Sequence, residues 1–315
     1  MDLRVRKLDA HYHLPFSRRD EKSRLDRVLR RLPDEGLEAA LERAGVGDHE
    51  EVCIRAVDVP VRLRLGASEE FLASSWASAV AEAIGRVLAE GGPGVVRYGS
   101  RRHALIDFGQ GVARDDLRRA WAWRQLGWGD ISDAAPGREA GEAFSRALAT
   151  EPVAIVAVLR ALAERGELPR LASRIDSRRW PVLAALALRA AGGDEDVLTD
   201  PEPKAHRTPN RAVRRSVARA MAASILARSA ARLPGSSGAS EATRRALATL
   251  ALIEIDPGLA ILGPAAIAER VEMAAEWLMT PVSGDGPDQE HEAAMAWDFP
   301  TPRREHFKEH GTDRL

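Results

Sequence analysis

Asp9-Ala10-His11-Tyr12-His13-Leu14 is the stretch whose residue types best suit a metal. Strand alternation puts both imidazoles on one face, within reach of one ion. Metal-dependent hydrolases begin a site with such a His-x-His strand, but that chemistry needs an eight-stranded barrel with further ligands at later strand ends. The rest of the sequence reads as helical, and His49, His103 and His206 do not fall at strand ends. The pair therefore reads as two solvated histidines. His306-Phe-Lys-Glu309-His310 has the H-x-x-E-H spacing that lets two histidines on a helix share a zinc, with Glu309 as base. It lacks a third ligand and sits in a polar tail with no core to fix its geometry. No Gly-rich phosphate loop, nucleophile elbow or cysteine-based metal site is present. The expectation is a protein that is not an enzyme, with no catalytic residue, cofactor or metal ligand assigned.

Two other constellations point to binding. Arg207, Arg211, Arg214, Arg215, Arg219, Arg228 and Arg232 lie along one helical stretch and could track phosphates. Val213, Val217, Met221 and Ile225 form an ordinary buried stripe on its other side, so the arginines read as a solvated face. Arg101-Arg102-His103 takes the same reading. Among the tryptophans, Trp121 is expected in the core. Trp123 lies two positions on and so faces away from it on a helix. An outward tryptophan points to a protein interface, and Trp128 follows in a Gly-Trp-Gly turn.

The 315 residues carry a net charge of −1, 30% charged and 45% hydrophobic side chains, and one cysteine, Cys53. That balance supports a core but makes no global electrostatic case for nucleic acid or an anionic membrane. A single cysteine allows no internal disulfide and suits a reducing compartment. No apolar run approaches the roughly 20 residues that span a bilayer, and Met1–Lys7 leads into no apolar signal core. A cytoplasmic protein is expected.

The element on which the chain is organised is Glu51–Glu90. Val57, Val59, Val61, Leu63 and Leu65 alternate with Asp58, Pro60, Arg62 and Arg64, the period of a half-buried strand. Val52, Ile54 and Ala56 alternate in the opposite phase, which predicts a break near Ala56–Val57. Pro60 cannot donate to a ladder and marks an edge. Ser68 caps a long helix whose stripe runs Phe71, Leu72, Ser75, Trp76, Ala79, Val80, Ala83, Ile84, Val87 and Leu88. Gly91-Gly92-Pro93-Gly94 ends it.

In chain order, Leu3–Leu14 reads as a first strand with Leu8, Ala10, Tyr12 and Leu14 on one face. A helix carries Leu25, Val28, Leu29 and Leu32, Pro33 breaks it, and Leu37 and Leu41 continue. From Arg101 the pattern is helical, with Asp115 capping the helix that carries Trp121. Further helices are expected over 137–149, 152–164, 168–175, 180–190, 211–233, 241–255 and 265–279. The fold class is α+β and predominantly helical: a small N-terminal β-α-β-α module (1–98), a helical region (99–191), a linker (192–210), a helical C-terminal region (211–280) and a disordered tail (281–315).

The form Ile-Arg-x-Val-Asp-Val-x-Val-x-Leu-x-Leu-Gly over Ile54–Gly66, followed by a long helix, resembles the N-terminal region of the tape measure proteins of contractile injection systems, the phage-tail-like particles of bacteria. Arg101–Gly129, RRHALIDFGQGVARDDLRRAWAWRQLGWG, is similar to their next block, a helix before a Trp-bearing turn, and Pro152–Ala190 to the block after that. The similarity covers residues 1–190. It implies a structural assembly protein that associates with baseplate or inner-tube proteins. Pro60, Arg62, Arg64, Trp123 and Trp128 are then the expected partner interface. Even as one unbroken helix, the chain would span about 470 Å at about 1.5 Å per residue. The alternative reading is a cytosolic helical scaffold or regulator that binds protein or nucleic acid through the arginine-rich stretch 207–232.

Overall fold

Helix α1 (Lys22–Arg31) and helix α2 (Glu69–Glu90) meet through an apolar seam and a set of ion pairs. Leu25, Val28 and Leu32 pack against Leu72, Ala73, Trp76 and Ala77. Ser68 caps α2 as expected: its Oγ accepts from the Phe71 N–H at 3.3 Å. Glu69, in the first turn, lies 3.1 Å from Arg27 and 3.7 Å from Arg31. Gly91 ends α2 at φ 66, and its N–H donates to Val87 O at 3.0 Å. A left-handed conformation of that kind is one that glycine adopts without a side-chain penalty.

In the computed structural model, residues 5–32, 38, 41, 42, 50–129, 131, 132, 137–193, 211–233 and 240–279 are described. Within them the fold is predominantly helical α+β, with a single two-stranded antiparallel sheet. β1 (Glu51–Ile54) pairs with β2 (Val95–Tyr98), Glu51 opposite Tyr98 and Ile54 opposite Val95. β2 was not expected. Its signal is four residues long, Val-Val-Arg-Tyr, too short to set a period.

The two segments expected to be strands form no ladder among the described residues. Residues 57–65 keep the expected alternation: Val57, Val59, Val61, Leu63 and Leu65 are half-buried, while Asp58, Pro60, Arg62 and Arg64 are exposed. The chain bends at Arg55, whose N–H still donates to Gly94 O at 2.8 Å, and then leaves β2. Residues 5–14 also lack ladder pairing among the described residues, and Tyr12 and Leu14 pack on the α1–α2 seam.

The helical region follows. Ser100 caps α3 (Arg101–Arg114) by accepting from the His103 N–H. Asp115 closes that helix in the left-handed region at φ 55, rather than capping the next one. The next helix, α4 (Ala120–Gln125), starts at Ala120. Then come α5 (Gly137–Ala149), α6 (Ile155–Glu164), α7 (Leu168–Ala172) and α8 (Arg179–Ala190). The stretch 211–233, expected as one helix, divides into α9 (Arg211–Ala223) and α10 (Ile225–Ala230). The division has a visible cause. Ser224 caps α10, and the Glu254 carboxylate accepts from Ser224 Oγ at 2.6 Å and from the Leu226 N–H at 3.0 Å. A charged acceptor at a helix start outweighs one more turn of continuous helix.

α11 (Glu241–Ile255) is the central helix, buried at Thr243 and from Arg245 to Ile253, and it packs on α8 and on α12 (Pro264–Met279). One apolar cluster runs from Cys53 to Leu278 and takes residues from both sides of residue 98 and of the stretch 192–210. Residues 194–210 and the tail 281–315 lie outside the described residues. Among the described residues no helix is long and apolar enough to cross a membrane.

Candidate functional site

The site follows from what holds residues 57–65 in place and what they leave open. Arg24 on α1 donates to Leu65 O at 2.8 Å and also to Ala67 O. Its guanidinium lies 3.2 Å from Glu21 and 3.8 Å from Glu69. One arginine thus ties the end of the segment to both helices of the N-terminal seam. Val61, Leu63 and Leu65 pack on that seam. The other end is tied through β1: Gln125 Nε2 on α4 donates to Ile54 O at 2.8 Å. Between these anchors, no backbone N–H from Val57 to Leu63 donates to a carbonyl among the described residues. Arg62 and Arg64 are exposed and make no ion pair there. The segment has the alternating burial of a strand and, among the described residues, no ladder partner.

Trp123 and Trp128 are not on this surface. Trp123 was expected to face outward, but it is 1% exposed, stacked on Phe108 with ring centroids 4.5 Å apart. Trp128 is 4% exposed, stacks on Phe108 with ring centroids 6.0 Å apart, and has the Arg101 guanidinium 5.6 Å from its ring. The physical reason is the brevity of α4. All four residues of the run Ala120–Trp123 are buried, and α4 packs against both β1 and α3. The inference that residues two apart face opposite environments holds only for a helix with one wet face.

Sequence reasoning missed the acid that organises this aromatic cluster. Asp107 Oδ2 accepts from Tyr98 Oη at 2.7 Å and from Trp123 Nε1 at 3.2 Å, and Oδ1 accepts from Arg119 at 2.6 Å. The available signal was the helix's single carboxylate, set between Ile106 and Phe108. Asp107 on α3 thus joins β2 through Tyr98 and α4 through Trp123. Burial pushes the Tyr98 hydroxyl far above its ordinary value, and the neighbouring Asp107 charge adds to this. Burial also pushes Tyr12 up to about 12 and the Cys53 thiol up to about 11. Arg118 holds Asp116 down at about 2 through a side-chain hydrogen bond.

These shifts set a pH response. A tyrosine raised above its unfolded value near 10 contributes stability that is complete below pH 10 and lost as pH rises through the folded value. Tyr12 and Tyr98 are the chain's two tyrosines. Absorbance at 295 nm is expected to show no tyrosinate in the folded protein up to about pH 11. Above that, ionisation and loss of the circular dichroism signal rise together. Ionisation of one tyrosine near pH 10 with the fold intact would contradict the burial of that residue.

The other candidates do not assemble. His11, His13 and His103 are exposed, and no group of three or more metal-capable side chains occurs among the described residues. His49, His206, His306, Glu309 and His310 lie outside those residues. Arg211, Arg214 and Arg215 line an open groove between α9 and α12 with Val217, Met273 and Trp277. Arg214 there is 3.3 Å from Glu276. Arg207 lies outside the described residues. Comparison with protein-family models, curated proteins and solved structures finds no match.

Proposed function

We propose that this chain is a non-enzymatic structural component of a contractile injection system, tape-measure-like, that associates with baseplate or inner-tube proteins while a particle is assembled in the cytoplasm. The observation that carries the reading is the segment Val57–Leu65. It is anchored at both ends, amphipathic, and without backbone donors in use from Val57 to Leu63 among the described residues. The sequence pattern that resembles the tape measure family, Ile54–Gly66, is this same stretch. The second block of resemblance holds its upstream anchor, since Gln125 and the Asp107 cluster both belong to it. Assembly proteins act by presenting rigid surfaces to partners, and an unpaired strand edge on a fixed support is such a surface.

A tagged copy produced together with the sheath, tube and baseplate proteins of its particle is expected to retain tube or baseplate protein through salt washes. Recovery of those proteins bound to one another, with none on the tagged chain, would contradict the reading.

The groove between α9 and α12 favours a second reading, a helical scaffold or regulator that contacts protein or nucleic acid. Three arginines beside Trp277 have the charge and the stacking face for it. Nucleic-acid binding that falls steeply with salt and is lost in Arg211→Ala/Arg215→Ala would favour it over assembly.

A further inference from the structure

We infer that the paired outer faces of α9 and α12 are a two-fold docking surface for a second copy of this chain. The two helices carry opposite charge. The stretch 211–233 holds six arginines and no acid. On α9, Arg211, Arg215 and Arg219 recur at every fourth position, which places them on one helical face, and all three are exposed. None of them makes an ion pair among the described residues. On α12, Glu269, Glu272 and Glu276 recur at spacings of three and four and are exposed as well. The helices lie side by side: Arg214 is 3.3 Å from Glu276, and Val217, Ala218, Met273 and Trp277 line the groove between them. A basic ridge and an acidic ridge therefore run next to each other across a partly apolar groove.

That arrangement is complementary to itself. A two-fold dimer uses the same patch on both copies, so each patch must carry both halves of every contact. Half a turn about an axis along the groove lays α9 of one copy on α12 of the other. Arg214 and Glu276 are level with each other, so the arginine ridge meets a glutamate ridge at its own height, twice per dimer. Half a turn about an axis across the groove would lay arginines on arginines, and like charges repel. Charge thus selects one of the two ways of stacking this face on itself, and the product is a four-helix packing with the groove residues of both copies at its centre. A phosphate backbone or an anionic membrane would meet the glutamate ridge along with the arginines, so neither matches the whole face. The thirteen residues of α9 make a helix about 20 Å long, and two such helices side by side present a face about 20 Å across. Stacked on itself, that face buries about 800 Å² in total, the small end of specific interfaces, so the association is weak and sensitive to salt.

The test is sedimentation equilibrium of the full-length chain at up to about 200 μM, where an interface of this size associates. A monomer–dimer equilibrium is expected at low salt, weakened at least about tenfold by raising the salt well above physiological strength. Arg211→Glu/Arg215→Glu and Glu269→Arg/Glu276→Arg are each expected to be monomeric alone. Mixed in equal amounts they are expected to form a heterodimer, since each then offers the ridge the other lacks. Both variants should keep the parent's circular dichroism, because acids suit the start of α9 and cations the end of α12.

A chain that stays monomeric at low salt over the whole range would overturn the proposal, and that measurement needs no variant. So would a dimer that either double variant leaves intact, or a mixture of the two that stays monomeric. A monomer whose Arg211 and Arg215 bind a single-stranded oligonucleotide would assign the face to nucleic acid and equally overturn it. The measurement needs no particle, so its failure leaves the assembly reading standing, and failure of that reading leaves the dimer standing.

Discussion

Trp123→Ala will cost about 3–5 kcal/mol of folding stability, the usual loss for deleting a fully buried aromatic side chain. The indole is 1% exposed, stacks on Phe108, and donates to Asp107. Its removal opens a cavity beside a ring and strips one partner from an acid that Tyr98 and Arg119 also use. Urea unfolding followed by circular dichroism checks this. The midpoint should fall without a change in slope. Trp123→Phe should recover most of the packing but not the hydrogen bond, leaving a deficit of about 1 kcal/mol. A variant as stable as the parent, with only its assembly impaired, would put Trp123 back on the surface.

Gly141→Ala is expected to be the next most damaging change, although alanine is the better helix former by about 1 kcal/mol. Gly141 lies on α5, and a methyl group there would run into the backbone carbonyl of Arg174. Backbone cannot rotate aside as a side-chain tip can. Overpacking usually costs about 1–3 kcal/mol, and a backbone obstacle puts this site at the top of that range. Gly66→Ala is the matched control. Nothing lies within 4 Å of a methyl group there, so the change should be neutral or stabilise by up to about 1 kcal/mol through the unfolded state. Equal midpoints for the two variants would show that α5 does not approach Arg174 so closely.

The contrast between these sites shows what could be read from the sequence. Ser68, the Gly91 stop and the alternation of Val57–Leu65 were legible because each is a local signal: a cap, a left-handed position and a period of two. The break near Ala56–Val57 was legible as a phase change and appears as the bend at Arg55. Missing partners were not legible. Period two reports that one face is half-buried, not that another strand lies alongside. The ladder instead formed between β1 and a four-residue strand beyond the long helix. Contacts that close through space were also hidden. Nothing in the spacing of Tyr98, Asp107, Arg119 and Trp123 announces that they converge. The outward placement of Trp123 failed because α4 packs against both β1 and α3 and has no wet face over Ala120–Trp123. The joint at Ser224 depends on Glu254, 30 residues away.

The most direct test of the assembly role is to delete this gene from a host that makes the particle and image the products by negative-stain electron microscopy. The reading predicts loss of intact particles or particles of disordered length, restored when the gene is supplied in trans. Particles of normal number and uniform normal length in the deletion strain would contradict it.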